Sequence, residues 1–140
     1  MYLIDTNVVS ELMRPAPNDA VCRWFATAPA SAIHTSSVTK AEILVGLLRL
    51  PEGARRSALL ERAEDLFGRL LAGRVLPFSA RSAELYAEVC ATRRRLGRGI
   101  SMADAQILSI CKEHGMTLVS RDADLFEPSD AVACVNPWAW

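Results

Sequence analysis

The stretch Tyr2-Leu3-Ile4-Asp5-Thr6-Asn7 decides how this chain reads. A short apolar run buries as a strand, and the carboxylate, hydroxyl and amide at its exit stand where open parallel sheets bind their ligands. Alone the hexapeptide is ambiguous, because Asp or Thr after a strand is also an ordinary way to start a helix. What else converges on that edge decides between the two.

Outward from this stretch, strand-like runs recur at Ala32–Thr35, Val75–Phe78, Thr117–Ser120 and Ala131–Val135, each short and bounded by polar, Gly or Pro residues. Helical periodicity fills the intervals. Thr6–Met13 forms a short helix that ends before Arg14-Pro15, since the residue before proline is driven out of the helical region. Asn18 caps a helix running to about Ala28, and Ser37–Leu48 is a third. Gly53–Leu71 is amphipathic, with Leu59, Leu60, Ala63, Leu66, Phe67 and Leu70 recurring at three and four, and Gly73 stops it. Ala80–Leu96 and Met102–Glu113 complete the set. Strands alternating with helices, with no Asn-Gly hairpin signal, imply parallel pairing and right-handed crossovers. The fold class is therefore α/β, a sandwich with a central parallel sheet of about five short strands flanked by helices. No repeat or linker divides the chain, so residues 1–140 are expected to form one domain.

Composition narrows the function classes. Basic and acidic residues both number 16, so no global positive field attracts nucleic acid, and any such contact must be local. No apolar run approaches the roughly 20 residues of a membrane span. Cys22, Cys90, Cys111 and Cys134 form no Cys-x-x-Cys pair and fall in apolar patterns, which makes them core residues rather than ligands or nucleophiles. With no secretory leader, a reduced cytoplasm is the expected compartment. Consecutive residues Arg93-Arg94-Arg95 point about 100° apart on a helix and do not make one patch, although with Arg98 they can line a groove margin. Trp24, Trp138 and Trp140 read as packing or interface residues, and His114 as a helix C-terminal partner of the dipole.

The chemistry lies in the carboxylates. Asp5 ends the first strand, and Asp122 and Asp124 follow the fourth, at the same edge of a parallel sheet. Glu42 in Thr39-Lys40-Ala41-Glu42 and Asp104 in Ser101-Met102-Ala103-Asp104 each follow a hydroxyl by three residues near a helix start, and such helices begin at that edge. Hydroxyl-x-x-acid is also the capping-box signature, and an acid in a first turn gains up to about 1 kcal/mol from the helix dipole. The sum separates the readings. Two carboxylates about 4 Å apart repel by roughly 4 kcal/mol at an effective dielectric of about 20, a cost no capping role requires and a hard divalent cation removes. Oxygen-only ligands select Mg²⁺ or Mn²⁺ over Zn²⁺, and such ions serve mainly phosphoryl chemistry.

With these residues in place, the chain resembles a PIN-domain ribonuclease, and within that group the VapC-type toxin of a type II toxin–antitoxin pair, close to the FitB branch. The matching pieces are Leu3-Ile4-Asp5-Thr6-Asn7-Val8-Val9-Ser10-Glu11-Leu12, Thr39-Lys40-Ala41-Glu42-Ile43-Leu44-Val45-Gly46, Leu50-Pro51-Glu52-Gly53, Ile100-Ser101-Met102-Ala103-Asp104-Ala105-Gln106-Ile107, Ser120-Arg121-Asp122 and Asn136-Pro137-Trp138. The resemblance implies a PIN-like three-layer sandwich whose acids are Asp5, Glu42, Asp104 and Asp122. Many relatives read Thr-Arg-Asn-x-x-Asp-Phe in the last segment, whereas here Leu125 stands where they place the acid before Phe126, so Asp124 is the alternative fourth acid. It further implies hydrolysis of RNA by water activated on one or two Mg²⁺ ions, with Mn²⁺ able to substitute. Thr6 and Asn7 then orient water or phosphate, or simply cap a helix, and Ser37 and Thr39 play the same part. Arg121 contacts phosphate or pairs with an acid.

The implied partners are an RNA substrate, a cognate antitoxin and a second copy of the chain in a homodimer or larger toxin–antitoxin assembly. DNA is reached only through the antitoxin, and no membrane is involved. The apolar faces of Val8, Leu12, Trp24 and Phe25 offer a groove for a partner segment. Two rivals share the fold: a weakly or non-catalytic partner of a DNA-binding antitoxin acting in transcriptional repression, and a phosphatase or DNA-directed nuclease using the same metals.

Overall fold

In a computed structural model that describes all 140 residues, the strands are β1 (Tyr2–Ile4), β2 (Ile33–Ser36), β3 (Val75–Leu76), β4 (Thr117–Val119) and β5 (Cys134–Val135). They form one parallel sheet in the order β3-β2-β1-β4-β5. The helices are α1 (Thr6–Leu12), α2 (Asp19–Thr27), α3 (Ser37–Leu48), α4 (Ala54–Asp65), α5 (Ala80–Arg95) and α6 (Met102–Glu113).

β1 is central and buried on both faces. Its alternating side chains divide between two cores: Ile4 packs with Val8, Val9, Trp24, Ile43 and Phe67, and Leu3 packs with Val89, Ile107, Leu108 and Leu118. One helical layer thus covers each face, as a parallel sheet requires. From β1 the chain winds outward through β2 to β3, then returns to the other side of β1 as β4. The strand order reverses between β1 and β4, and the crevice of an open α/β sheet opens at such a reversal, beyond the carboxyl ends. Asp5 follows β1 there, and Ser120 follows β4.

Two elements differ from expectation. The run read as one helix to Leu71 ends at Asp65 and continues as a π-helical turn over Leu66–Leu70, with the Leu71 amide donating to Leu66 O at 2.8 Å. Ala63, Phe67 and Leu71 are all buried, and the wide turn offsets the drift of about 40° per four residues that a regular helix would carry along this face. The final strand is only Cys134–Val135, because the residues before it form a 3₁₀ turn at Pro128–Asp130 closed by Ala131 at φ 56°.

The singled-out side chains mostly pack. Trp24 is buried edge-on against Tyr2 and Phe25, with ring centroids 5.1 and 4.8 Å apart. Burial pushes the Cys111 thiol up to about 12 and the Cys134 thiol to about 11, so neither is a nucleophile. Cys22, however, is exposed on the polar face of α2 rather than in the core. Val8 and Trp24 are likewise fully packed, leaving only Leu12 and Phe25 of the expected apolar groove, where with Leu66 and Leu70 they line a cavity of about 240 Å³. No helix is long and apolar enough to cross a membrane.

Candidate active site

Asp5 is nearly fully buried and is the N-cap of α1, its carboxylate accepting from the Thr6 amide. Capping and site membership thus coincide in one residue. Its Oδ2 accepts from the Ser120 hydroxyl at 2.6 Å and from Asn7 Nδ2 at 2.9 Å. Ser120 also accepts from Asn7 Nδ2 at 3.1 Å and from the Asp122 amide at 3.0 Å, so one buried hydroxyl joins the ends of β1 and β4. In the sequence Ser120 stands as a strand end and as the first residue of Ser120-Arg121-Asp122, with no role of its own in the site. A hydroxyl at the last buried position of a strand, opposite a carboxylate at the same level of its neighbour, was the available signal.

Glu42 enters from α3. The cap of that helix is Ser36, whose hydroxyl accepts from the Thr39 amide at 3.0 Å, so Ser37 is the exposed first helical residue and Glu42 lies in the second turn. Glu42 therefore closes no capping box. Its carboxylate instead accepts from Thr6 Oγ1 at 2.7 Å, and Thr6 also donates to Thr39 Oγ1 at 3.2 Å. Asp104 sits in the first turn of α6, where its amide donates to the Ser101 hydroxyl at 3.1 Å. Asp122 caps a 3₁₀ turn over Ala123–Leu125 by accepting from the Asp124 amide at 3.0 Å. Leu125, at the position of the displaced acid, is buried in the core. Arg121 forms no ion pair with an acid; its guanidinium lies 4.7 Å over the Trp138 ring, while its amide points to Asn7 Oδ1 at 3.5 Å.

The electrostatics tie the acids together. Burial holds the Asp5 carboxyl above its ordinary value, against the lowering effect of Ser120 and the Thr6 amide, and the charges of Asp104 and Glu42 push it further up. Asp104 is raised as well, first by burial, then by the charges of Asp122, Glu42 and Asp124, with the Ser101 hydroxyl opposing. Among the charges that raise Asp104, that of Asp122 comes ahead of that of Asp124. Five carboxylates thus share one field across three helix starts and two strand ends. As placed, no three of them stand close enough to hold a metal ion together. Asp5, Glu42 and Asp122 are each drawn to a hydroxyl or amide donor, the arrangement mutual repulsion favours. The donors fit a hard divalent cation nonetheless: all are oxygens, the two most buried are raised first by burial and then by neighbouring charges whose repulsion such a cation would relieve, and no His or Cys joins them.

Beyond Thr6 and Glu42 the site opens into a groove of about 660 Å³ between α1, α3 and α4. Its walls carry Arg14, Arg55 and Arg62 over an apolar floor that includes Ile43, Leu47 and Leu59. Positive charge is therefore concentrated beside the acids although the whole chain is neutral.

A PIN-domain family model matches residues 2–130, almost the whole chain. The chain belongs to the PIN-domain family. Among curated PIN-domain relatives it is 38% identical to toxin FitB of Neisseria gonorrhoeae over 138 residues, covering 99% of each chain. It is 36% identical to VapC ribonuclease Y4jK of Sinorhizobium fredii, covering 99% of this chain and 98% of that one. Among solved structures it superimposes with a TM-score of 0.90, at 38% identity over 99% of this chain and 96% of the other, on FitAB bound to an IR36 DNA fragment. The sheet flanked by helices is the PIN-like α/β fold of these relatives.

Proposed function

We propose that this PIN domain is a metal-dependent endoribonuclease, the toxin of a toxin–antitoxin pair. The observation that carries the reading is the shared field of Asp5, Glu42, Asp104 and Asp122 at the strand-order reversal, beside an arginine-walled groove. The ribonuclease and toxin names of its relatives support it.

Asp5 and Asp104 would hold Mg²⁺ or Mn²⁺, with Glu42 and Asp122 binding directly or through water. When bound, such an ion supplies Lewis-acid polarisation of the phosphodiester and acidifies water at neutral pH. The chain's own groups supply the rest. Asn7 and Ser120 hold Asp5 Oδ2 in one orientation, and Thr6 fixes Glu42. Water attacks phosphorus in line, one P–O bond breaks, and the leaving oxygen takes up a proton; no protein nucleophile is needed. Arg14, Arg55 and Arg62 bind backbone phosphates flanking the scissile bond, supplying locally the charge the chain lacks globally.

The protein acts as a homodimer, bound and silenced by a DNA-binding antitoxin through which the assembly reaches DNA, as the DNA-bound FitAB relative suggests. That same relative supports the second reading, a partner in repression with little catalysis. Purified protein incubated with Mn²⁺ and separate RNA and DNA substrates distinguishes them. RNA cleavage abolished by chelator is the expected result. Cleavage of DNA alone would overturn the substrate class, and cleavage of neither would favour the repression partner.

A further inference from the structure

The Arg93-Arg94-Arg95 run is only partly a surface feature. Arg93, near the end of α5, is buried to 3% exposure beside Asp130 at 2%. Its Nε and Nη2 donate to the same carboxylate oxygen, Asp130 Oδ2, at 2.9 and 2.7 Å. Nη2 also donates to the carbonyl oxygen of Asp124 at 2.7 Å. Asp130 Oδ1 is buried with no hydrogen-bond partner. A buried ion pair with an orphaned oxygen is a poor stabiliser, since desolvating both charges is only partly repaid. Three residues on from the Asp124 carbonyl, Glu127 pairs with Arg98 at 3.2 Å, so the end of α5 and the turn that follows it hold this loop twice.

The backbone just before these anchors carries the fourth acid. Asp122 is held on one side by Ser120, which donates to Asp5. On the other side it accepts from the amide of Asp124, the residue whose carbonyl Arg93 grips. Hydrogen bonds thus join Asp5 to Ser120, Ser120 to the Asp122 amide, the Asp122 carboxylate to the Asp124 amide, and the Asp124 carbonyl to Arg93, which holds Asp130.

We propose that Arg93, neutralised by Asp130, is a positioning residue that fixes the Asp122–Asp124 turn so that Asp122 acts on Asp104. It touches no substrate and acts through the Asp124 carbonyl. The inference rests on the metal-dependent reading above and deepens it. Supporting partners of this kind affect metal affinity or activity by roughly 10- to 100-fold.

The test pairs two variants with the wild-type protein. R93M/D130L removes both buried charges, a replacement a core tolerates, yet cannot restore the bond to the Asp124 carbonyl. R93K keeps the charge but not the fork that reaches Asp130 and Asp124 together. Mn²⁺ affinity is read by calorimetric titration, folding by far-UV circular dichroism and thermal melts, and cleavage as separate kcat and KM values for RNA. The expected result is a folded double variant with Mn²⁺ affinity and kcat lowered roughly 10-fold or more and KM for RNA unchanged, with R93K in between. A folded variant with wild-type Mn²⁺ affinity and kcat overturns the positioning role, as does failure of both variants to fold, which would assign the pair to global stability. Failure of the wild-type protein to bind Mn²⁺ would instead overturn the metal-dependent reading beneath it.

Discussion

At Asp5, burial pulls the carboxyl pKa up while the Ser120 hydroxyl and the Thr6 amide pull it down, and burial wins. Asp104 is shifted the same way. A carboxyl with a raised folded-state pKa contributes stability that is full below its unfolded value and lost as pH rises through the folded one. The metal-free protein therefore carries a penalty at neutral pH that a divalent cation relieves, and protons compete with the cation at higher pH than they would for ordinary carboxylates. The increase in Tm given by saturating Mn²⁺ should accordingly grow as pH rises from the acidic range to neutrality, as differential scanning fluorimetry would show. A gain constant across that range would sever the link between these acids and the metal. Asp5→Asn removes one of the repelling charges and keeps an oxygen for the Thr6 amide. Its metal-free Tm near pH 8 should equal or exceed that of the wild type, while RNA cleavage falls by at least about 100-fold.

Among the elements, α3 and α6 show what a capping signature can hide. Both acids follow a hydroxyl by three residues, and at this level the sequence could not separate a cap from a ligand. In α6 the hydroxyl is the cap and Asp104 its first-turn partner; in α3 the cap is Ser36, three residues earlier than the Thr39 signature suggested. The consequence is measurable by chemical denaturation. Ser36→Ala should cost about 1 kcal/mol of stability as a lost cap, whereas Glu42→Gln should stay within about 0.5 kcal/mol and yet lower cleavage. A Glu42→Gln variant as destabilised as Ser36→Ala would restore the capping role. The π-helical turn at Leu66–Leu70 was illegible for a related reason. Apolar spacing of three and four fits a regular helix and a helix with one wide turn equally well, and only the shape of the core over Phe67 and Leu71 decides. Parallel pairing, by contrast, follows from the alternation of strands and helices, and the sheet is indeed parallel throughout.

Across the whole molecule, the polar side chains that organise the site come from residues distant in sequence. Asp5 and Ser120 are 115 residues apart, and Arg93 and Asp130 are 37 apart. Neither pairing has a local signature, so the acids were legible as types at strand and helix ends while the partners that orient them were not. The groove charge was invisible for the same reason. Arg14, Arg55 and Arg62 look like compositional bias until α1 and α4 bring them together. If that groove carries RNA backbone, Arg55→Ala should raise KM for RNA, leave kcat unchanged and reduce the slope of log affinity against log salt by about 0.7. An unchanged slope would remove the groove from the substrate path.

The most direct test of the central claim is single-turnover cleavage of a single-stranded RNA by wild-type and Asp104→Asn protein across a Mn²⁺ titration, with melts confirming that both are folded. Saturable, chelator-sensitive cleavage by the wild type and loss of at least about 100-fold in the variant at every Mn²⁺ concentration is the predicted result. Equal cleavage by the folded Asp104→Asn protein would contradict it.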